Sequence, residues 1–400
     1  MLSLLFVACA TDPGPDTHTA QPGDTGDSGE TGDTGDTGDT GVADGCRATP
    51  AAADRERAVV LSFPYDGRGR PADTWAVLRL DVDGGLSAPG DTFTLGRATS
   101  GVVAFAPDGS LGVVPQEDGT LGVFTLDAEL APTVVEAAWA GPGGADFYAG
   151  AVVFDPSGER AFVVDGNWEN NGGGIYEVAF DCESGAPTLV GQRIASKLAA
   201  AVYPTAGGGA VLVAAGAAGQ EGADAWLLAG WPDAPTVSAS AALFDYEDAI
   251  LGGSALAGDT LVVGDTSMFS GTDNRVAAAR VGDGIEAAAN PTVLEDPFAM
   301  VASPDGDAVL VSSGFGDALW VLEVADGLVR TADELDAPGV ALPGSSVVIA
   351  RGGLRGLALV VENVAVRRVQ FDGEGGAADL GTTDFGDAYT SIPGAVGVQP

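Results

Sequence analysis

The side chains best suited to chemistry in this 400-residue chain are acids that recur beside large apolar residues. A short motif places an Asp two positions before an aromatic residue or Ile, at Asp146 and Tyr148, Asp248 and Ile250, Asp296 and Phe298, and Asp387 and Tyr389. Carboxylates that converge without a basic partner raise one another's pKa values or hold a cation such as Ca²⁺. If these loops meet, we expect Asp146, Asp248 and Asp296 to be the metal ligands and the aromatic rings to stack on a ligand. The alternative is that the acids cap turns and the rings wedge between sheets.

Two longer polar segments offer a second set of contacts. Residues 165–174 carry oxygen-bearing side chains at alternate positions, and Asn167, Trp168 and Glu169 lie at their centre. The segment lacks the glycine and the distal acid of a calcium-binding loop, so we expect a binding loop or a flexible polar loop. Residues 265–274 carry Met268 and Phe269, which as exposed apolar tips would contact a partner.

Charge and histidine content exclude several classes of function. The chain has 57 acidic residues against 17 Lys and Arg, a formal net charge of −40, and such a surface repels a nucleic-acid backbone. Its one histidine, His18, lies in a low-complexity segment. A Ser-His-Asp triad or a His-based metal site on the folded part is therefore excluded. A pair of carboxylates acting as in glycosidases is not excluded.

The N-terminal residues predict export. Residues 1–9, Met-Leu-Ser-Leu-Leu-Phe-Val-Ala-Cys, resemble the lipobox of bacterial lipoproteins, and the resemblance implies a lipid on Cys9. Residues 10–45 are rich in Asp, Thr and Gly, with a Thr-Gly-Asp repeat, and predict a disordered, self-repelling linker. We therefore expect a protein anchored by lipid at the outer membrane or cell surface. A disordered apolar N-terminus and a calcium-binding repeat are the alternatives.

The cysteine count agrees with export. If Cys9 carries lipid, Cys46 and Cys182 remain as an even pair. Outside the cytoplasm such a pair can form a disulfide, with two free thiols as the alternative.

An internal repeat predicts the fold. A strand-like pattern recurs with equivalent residues 46 to 53 positions apart, at Val102, Ala151, Ala200, Gly253, Ala299, Ser346 and Ala395. Most copies are followed by two further Val- and Leu-rich stretches and a weaker fourth, with an Asp opening the turn after the third. Four short antiparallel strands in a unit of this length are typical of a β-propeller blade.

The two chain ends complement each other. The first unit, residues 58–95, has no first strand, and residues 393–399 supply a first strand with nothing after it. Together they predict an all-β, seven-bladed β-propeller over residues 46–400, in which N- and C-terminal strands close one blade and remove the exposed sheet edges.

The Pro-Asp-Gly turns at 107–109 and 304–306, together with the blade length, resemble the seven-bladed propellers of the lactonase-like and surface-layer repeat group. That group contains enzymes, binding proteins and scaffolds. We expect a binding or scaffolding protein of the cell envelope, with a protein or glycan partner on one propeller face. One alternative is a lactonase- or glycosidase-like enzyme that uses carboxylates at the mouth of the propeller's central channel, with or without Ca²⁺. The other is a purely structural envelope component.

Overall fold

The structure is a computed structural model in which the chain divides into two units, Met1–Val42 and Ala43–Pro400. All described residues lie in the second unit. They are residues 45–65, 71–90, 92–98, 102–116, 118–136, 149–166, 173–244, 251–265, 274–289, 292–294, 297–313, 318–337, 345–362, 365–385 and 394–400.

The described residues form β-strands joined by turns, without a helix, as the sequence predicts. None of them belongs to a helix with the length and apolar character to cross a membrane. One four-stranded sheet unites the two chain ends in the order β29 (Val396–Val398), β1 (Arg57–Tyr65), β2 (Pro71–Leu80) and β3 (Thr92–Thr94). The next along the chain consists of β4 (Ala104–Phe105), β5 (Leu111–Pro115), β6 (Leu121–Leu126) and β7 (Pro132–Val134).

The largest sheet follows in the chain. It contains β8 (Ala149–Phe154), β9 (Arg160–Asp165), β10 (Gly174–Phe180), β11 (Pro187–Pro204), β12 (Ala210–Ala217), β14 (Ala225–Ala229) and β15 (Thr236–Ala241), with β13 (Gln220–Glu221) beside β12. A five-stranded sheet comes next, with β16 (Leu251–Ala257), β17 (Thr260–Asp265), β18 (Arg275–Val281) and β19 (Ile285–Ala287), and with β20 (Thr292–Val293) beside β18.

Two four-stranded sheets complete the fold. One is β21 (Pro297–Ala302), β22 (Ala308–Ser313), β23 (Ala318–Ala325) and β24 (Leu328–Asp336). The other is β25 (Ser346–Val348), β26 (Leu357–Glu362), β27 (Ala365–Phe371) and β28 (Ala377–Asp384).

Strand β11 differs from the sequence prediction. Residues 187–190 look like a separate fourth strand, but the structure continues them into one strand of 18 residues. Its first part pairs with β10 and its second part with β12, so β11 joins two groups of four strands into one sheet. The physical reason is that residues 188–203 contain no Pro, Asp or Asn, and Gly191 alone does not end the strand.

Burial differs between the first and second strands of the groups. The second strands β17, β22 and β26 are buried along their whole length, as expected for uninterrupted apolar runs packed on both faces. The first strands β8, β16 and β21 are mostly half-buried, as expected for strands that line a central channel. Neighbouring first strands also contact each other, since the Tyr203 hydroxyl donates to the Ser254 carbonyl over 2.6 Å.

The core closes the sheets into a ring. Each apolar cluster among the described residues draws side chains from two successive groups of strands. One cluster packs Leu61 and Val396, from the sheet of the chain ends, against Leu359 of β26. The succession of groups therefore returns to its start, which is the architecture of a β-propeller.

Several turns use the predicted Asp chemistry. The Asp127 carboxylate accepts hydrogen bonds from the backbone N–H groups of Glu129 and Ala131, at 3.0 and 2.8 Å. The Asp372 carboxylate accepts from Glu374 and Gly376 in the same way, and these bonds hold the pKa of Asp372 below its usual value. Part of the chain's acidity thus belongs to its turns.

Candidate functional site

Most of the residues that the sequence predicts for binding lie outside the described residues. These are Cys9, Asp146, Tyr148, Asn167, Trp168, Glu169, Asp248, Met268, Phe269, Asp296, Asp387 and Tyr389. The calcium site and the partner loops therefore remain predictions. Phe298 is described as a half-buried residue of β21, and its carbonyl lies only 2.5 Å from where a Cβ on Gly253 would be. Gly253 thus allows β16 and β21 to approach closely.

Cys46 and Cys182 form a disulfide that ties the start of the described chain to the sheet of β8–β11. The Cys46 N–H donates to the Glu159 carboxylate over 2.8 Å, and the Arg47 guanidinium donates to the Cys182 carbonyl over 2.9 Å. Glu159 and the two sulfur atoms lie within 4.8 Å of one another, a spacing that would suit a metal ion. Because the sulfur atoms are bonded to each other, they cannot be thiolate ligands.

Reducing this disulfide is expected to lower stability by about 2 to 5 kcal/mol, because it closes a loop between residues 136 positions apart. Thermal melts with and without dithiothreitol measure the effect. The Cys46→Ser, Cys182→Ser double variant is the control. Its melting temperature should equal that of the reduced parent and should not change when dithiothreitol is added. A parent whose melting temperature stays within a degree on reduction would contradict the prediction.

The structure adds a group of buried polar residues that the sequence analysis missed. They lie at the ends of second strands or directly after them, at Gln116, Asp165, Asp265, Ser313 and Glu362. Because the second strands of all blades run in the same direction, these strand ends lie on the same face of the propeller. Asp165 and Asp265 begin the two polar segments singled out from the sequence, but nothing in the sequence distinguishes them from exposed loop acids. Their side chains are 2% and 0% exposed.

Gln116 and Glu362 in this group bond to side chains and carbonyls in or next to neighbouring strands. The Gln116 amide donates to the Leu95 carbonyl over 2.6 Å, and its oxygen accepts from Thr120. The Glu362 carboxylate pairs with the Arg367 guanidinium. Burial alone would lower the pKa of Arg367, but its bonds to Glu362 and Asp379 raise it. Gln116 thus links its own sheet to the sheet of β1–β3, and Glu362 stabilises the sheet of β26–β28.

Asp165 lies beside a buried phenol. It ends β9 and pairs in register with Gly174 of β10, two residues before Tyr176. Burial raises the pKa of Tyr176, and the negative charge of Asp165 raises it further. The Tyr176 hydroxyl also accepts a hydrogen bond of 3.1 Å from the Gln192 amide. The phenol therefore keeps its proton at neutral pH, so a carboxylate at the end of β9 and a proton donor near the start of β10 are neighbours.

Comparisons with solved structures show the same fold. No protein-family profile and no curated protein sequence matches the chain. A periplasmic gluconolactonase from Pseudomonas aeruginosa matches with a TM-score of 0.57 and 14% identity, over 86% of this chain and 99% of that one. A candidate 6-phosphogluconolactonase from Bacteroides fragilis matches with 0.60 and 12%, over 88% and 99%. A protein from Lactobacillus plantarum matches with 0.61 and 13%, over 86% and 100%.

The chain is thus a β-propeller of the architecture seen in lactonase-like proteins. At identities of 12 to 14% the likeness extends to the fold and not to individual site residues.

Proposed function

We propose that this protein is a propeller hydrolase that opens sugar lactones, with Asp165 as the general base and Tyr176 as the proton donor. The observation that carries the proposal is that the buried Asp165 and the buried Tyr176 lie diagonally opposite each other in the pairing of β9 with β10. The shared fold with gluconolactonases supports the substrate class. A lactonase-like enzyme is one of the alternatives that the sequence analysis leaves open. Here Asp165 and Tyr176 take the place of the loop carboxylates predicted from the sequence.

The chemistry needs two proton transfers. Asp165 removes a proton from water as the water oxygen bonds to the lactone carbonyl carbon. The bond between that carbon and the ring oxygen then breaks, and Tyr176 gives its proton to the departing oxygen. The product is a hydroxy acid, and the proton that Asp165 took from water then passes to the phenolate of Tyr176, which restores both groups.

The full chain should accelerate the opening of glucono-δ-lactone over buffer, followed as base uptake at constant pH. The net charge of −40 opposes an additional phosphate, so we expect a lower rate with 6-phosphogluconolactone. A chain that accelerates neither reaction would refute the proposal.

Binding without catalysis is the second candidate, as a protein or glycan receptor or scaffold of the cell envelope. It is favoured by the open pocket around Lys197, in which the Lys197 ammonium and the Glu221 carboxylate pair with each other. An inactive chain that captures a defined envelope component from extract would favour this function over hydrolysis.

We further propose that the protein acts outside the cytoplasm, held to the membrane only by a lipid on Cys9. The Cys46–Cys182 disulfide and the periplasmic location of one structural relative support this. Mass spectrometry of the peptide containing Cys9 tests it, and an unmodified cysteine would contradict the anchor.

Counting the two halves of the eight-stranded sheet separately, we infer seven blades. The hydrophobic core supports this count. The cluster around Trp226 packs side chains of β9 and β10 against side chains of β12 and β14, which is how two neighbouring blades pack.

A further inference from the structure

A pocket of about 390 Å³ opens where β11 passes from its pairing with β10 to its pairing with β12. It is lined by residues 195–197, 216–217 and 219–221. This place corresponds to the connection between the fourth strand of one group and the first strand of the next. Its volume suits a small ligand.

Three residues form a row across the pocket. Lys197 pairs in register with Gly216, and Gly216 pairs with Glu221. The Lys197 ammonium and the Glu221 carboxylate are 3.4 Å apart, and both side chains are largely exposed. Gly216 is required here by close approach, since an added Cβ would lie 2.9 Å from the Gln220 carbonyl oxygen and 3.6 Å from side-chain atoms of Lys197 and Glu221. Lys197 is the only lysine of the chain.

The backbone beside this row is strained. Leu198 and Ala218 adopt left-handed conformations, with φ of 50° and 49°, which are uncommon for residues other than glycine. The Ala218 N–H holds this geometry by donating to the Ala195 carbonyl over 2.8 Å. The hydroxyl of Ser196, a residue only 5% exposed, has no hydrogen-bond partner in the pocket wall. Strained residues and buried polar atoms without a partner are concentrated at ligand sites in folded proteins.

We infer that this pocket binds the α-ammonium and α-carboxylate groups of a free amino acid. Lys197 receives the carboxylate and Glu221 the ammonium, so each ligand charge meets its opposite. A zwitterion has no net charge, and the −40 charge of the chain does not repel it as it repels an anion. The small residues Ala195, Ala217 and Gly219 leave room for the ligand's side chain. The inference goes beyond lactone hydrolysis and does not depend on it.

Isothermal titration of the full chain with each of the twenty common amino acids tests the inference. We expect at least one to bind, and its N-acetyl and carboxamide derivatives, which each lack one charge, to bind at least tenfold more weakly. Lys197→Met and Glu221→Gln should each weaken binding at least tenfold. Both variants should melt like the parent, because an exposed ion pair contributes little to stability.

Glu183→Gln is the matched control, since Glu183 is an exposed acid on a different turn, and this variant should bind like the parent. Three results would overturn the inference. They are the absence of binding by any amino acid, equal binding by the singly charged derivatives, and full binding by both pocket variants.

Discussion

Replacing Val396 by Asp is expected to lower the free energy of unfolding by roughly 3 to 5 kcal/mol, because it places a carboxylate in the core that closes the ring. Val396 is 0% exposed, pairs in register with Leu61, and accepts a hydrogen bond of 3.0 Å from the Val103 N–H. It therefore connects the strand at the start of the fold with the next sheet. Denaturant unfolding of both proteins measures the difference.

The matched control is Val293→Asp, which makes the same change at a side chain that is 59% exposed. This variant should unfold within about 0.5 kcal/mol of the parent. Equal stabilities of the two variants would show that the C-terminal strand does not close the ring.

Deleting residues 394–400 should destabilise the protein further than the point variant. Gln399 alone makes several contacts with the first strand and its neighbours. It exchanges backbone and side-chain hydrogen bonds with Ala58, at 2.9 and 3.0 Å, and its amide donates to the Gly109 carbonyl over 2.7 Å. Each such bond contributes about 1 kcal/mol, in addition to the buried apolar surface of the strand.

The second large effect is expected on catalysis. Asp165→Asn should reduce the rate of lactone opening at least about 100-fold, because an amide cannot accept the proton of the attacking water. Tyr176→Phe should also reduce the rate, since it removes the proton donor and leaves the ring in the core. Initial rates at saturating lactone measure both effects.

Asp283→Asn is the control for Asp165, because Asp283 is an exposed acid in the turn between β18 and β19. This variant should retain the parent rate. Melting curves must accompany the rates, since Asp165 is buried. An Asp165→Asn protein that is folded and fully active would remove Asp165 from the mechanism.

The repeat in the sequence predicts most of the fold, for a simple physical reason. Second strands such as β17 are buried on both faces, and their sequences are therefore short, uninterrupted apolar runs between turn residues. Such runs can be recognised directly in the sequence. The complementary chain ends likewise predict the pairing of β29 with β1. The length of β11 was not predicted, because the repeat assigns residues 187–190 and Ala200 to different units, and a repeat pattern does not show that one strand runs through the boundary between them.

The candidate site was much harder to predict. Asp165 looks like the first residue of a polar loop, and only the structure reveals that it is buried beside Tyr176. The row of Lys197, Gly216 and Glu221 depends on strand register, which a sequence pattern does not specify across a bulge. The one available signal was that the chain has a single lysine.

The most direct test of the proposed active site is a crystal structure of the protein with gluconolactam, an analogue whose ring the protein cannot open. We predict that the lactam carbonyl carbon lies near the Asp165 carboxylate and that the ring nitrogen lies within hydrogen-bond distance of the Tyr176 hydroxyl. An analogue that is ordered at another place on the protein, while the protein opens the lactone in solution, would contradict the account.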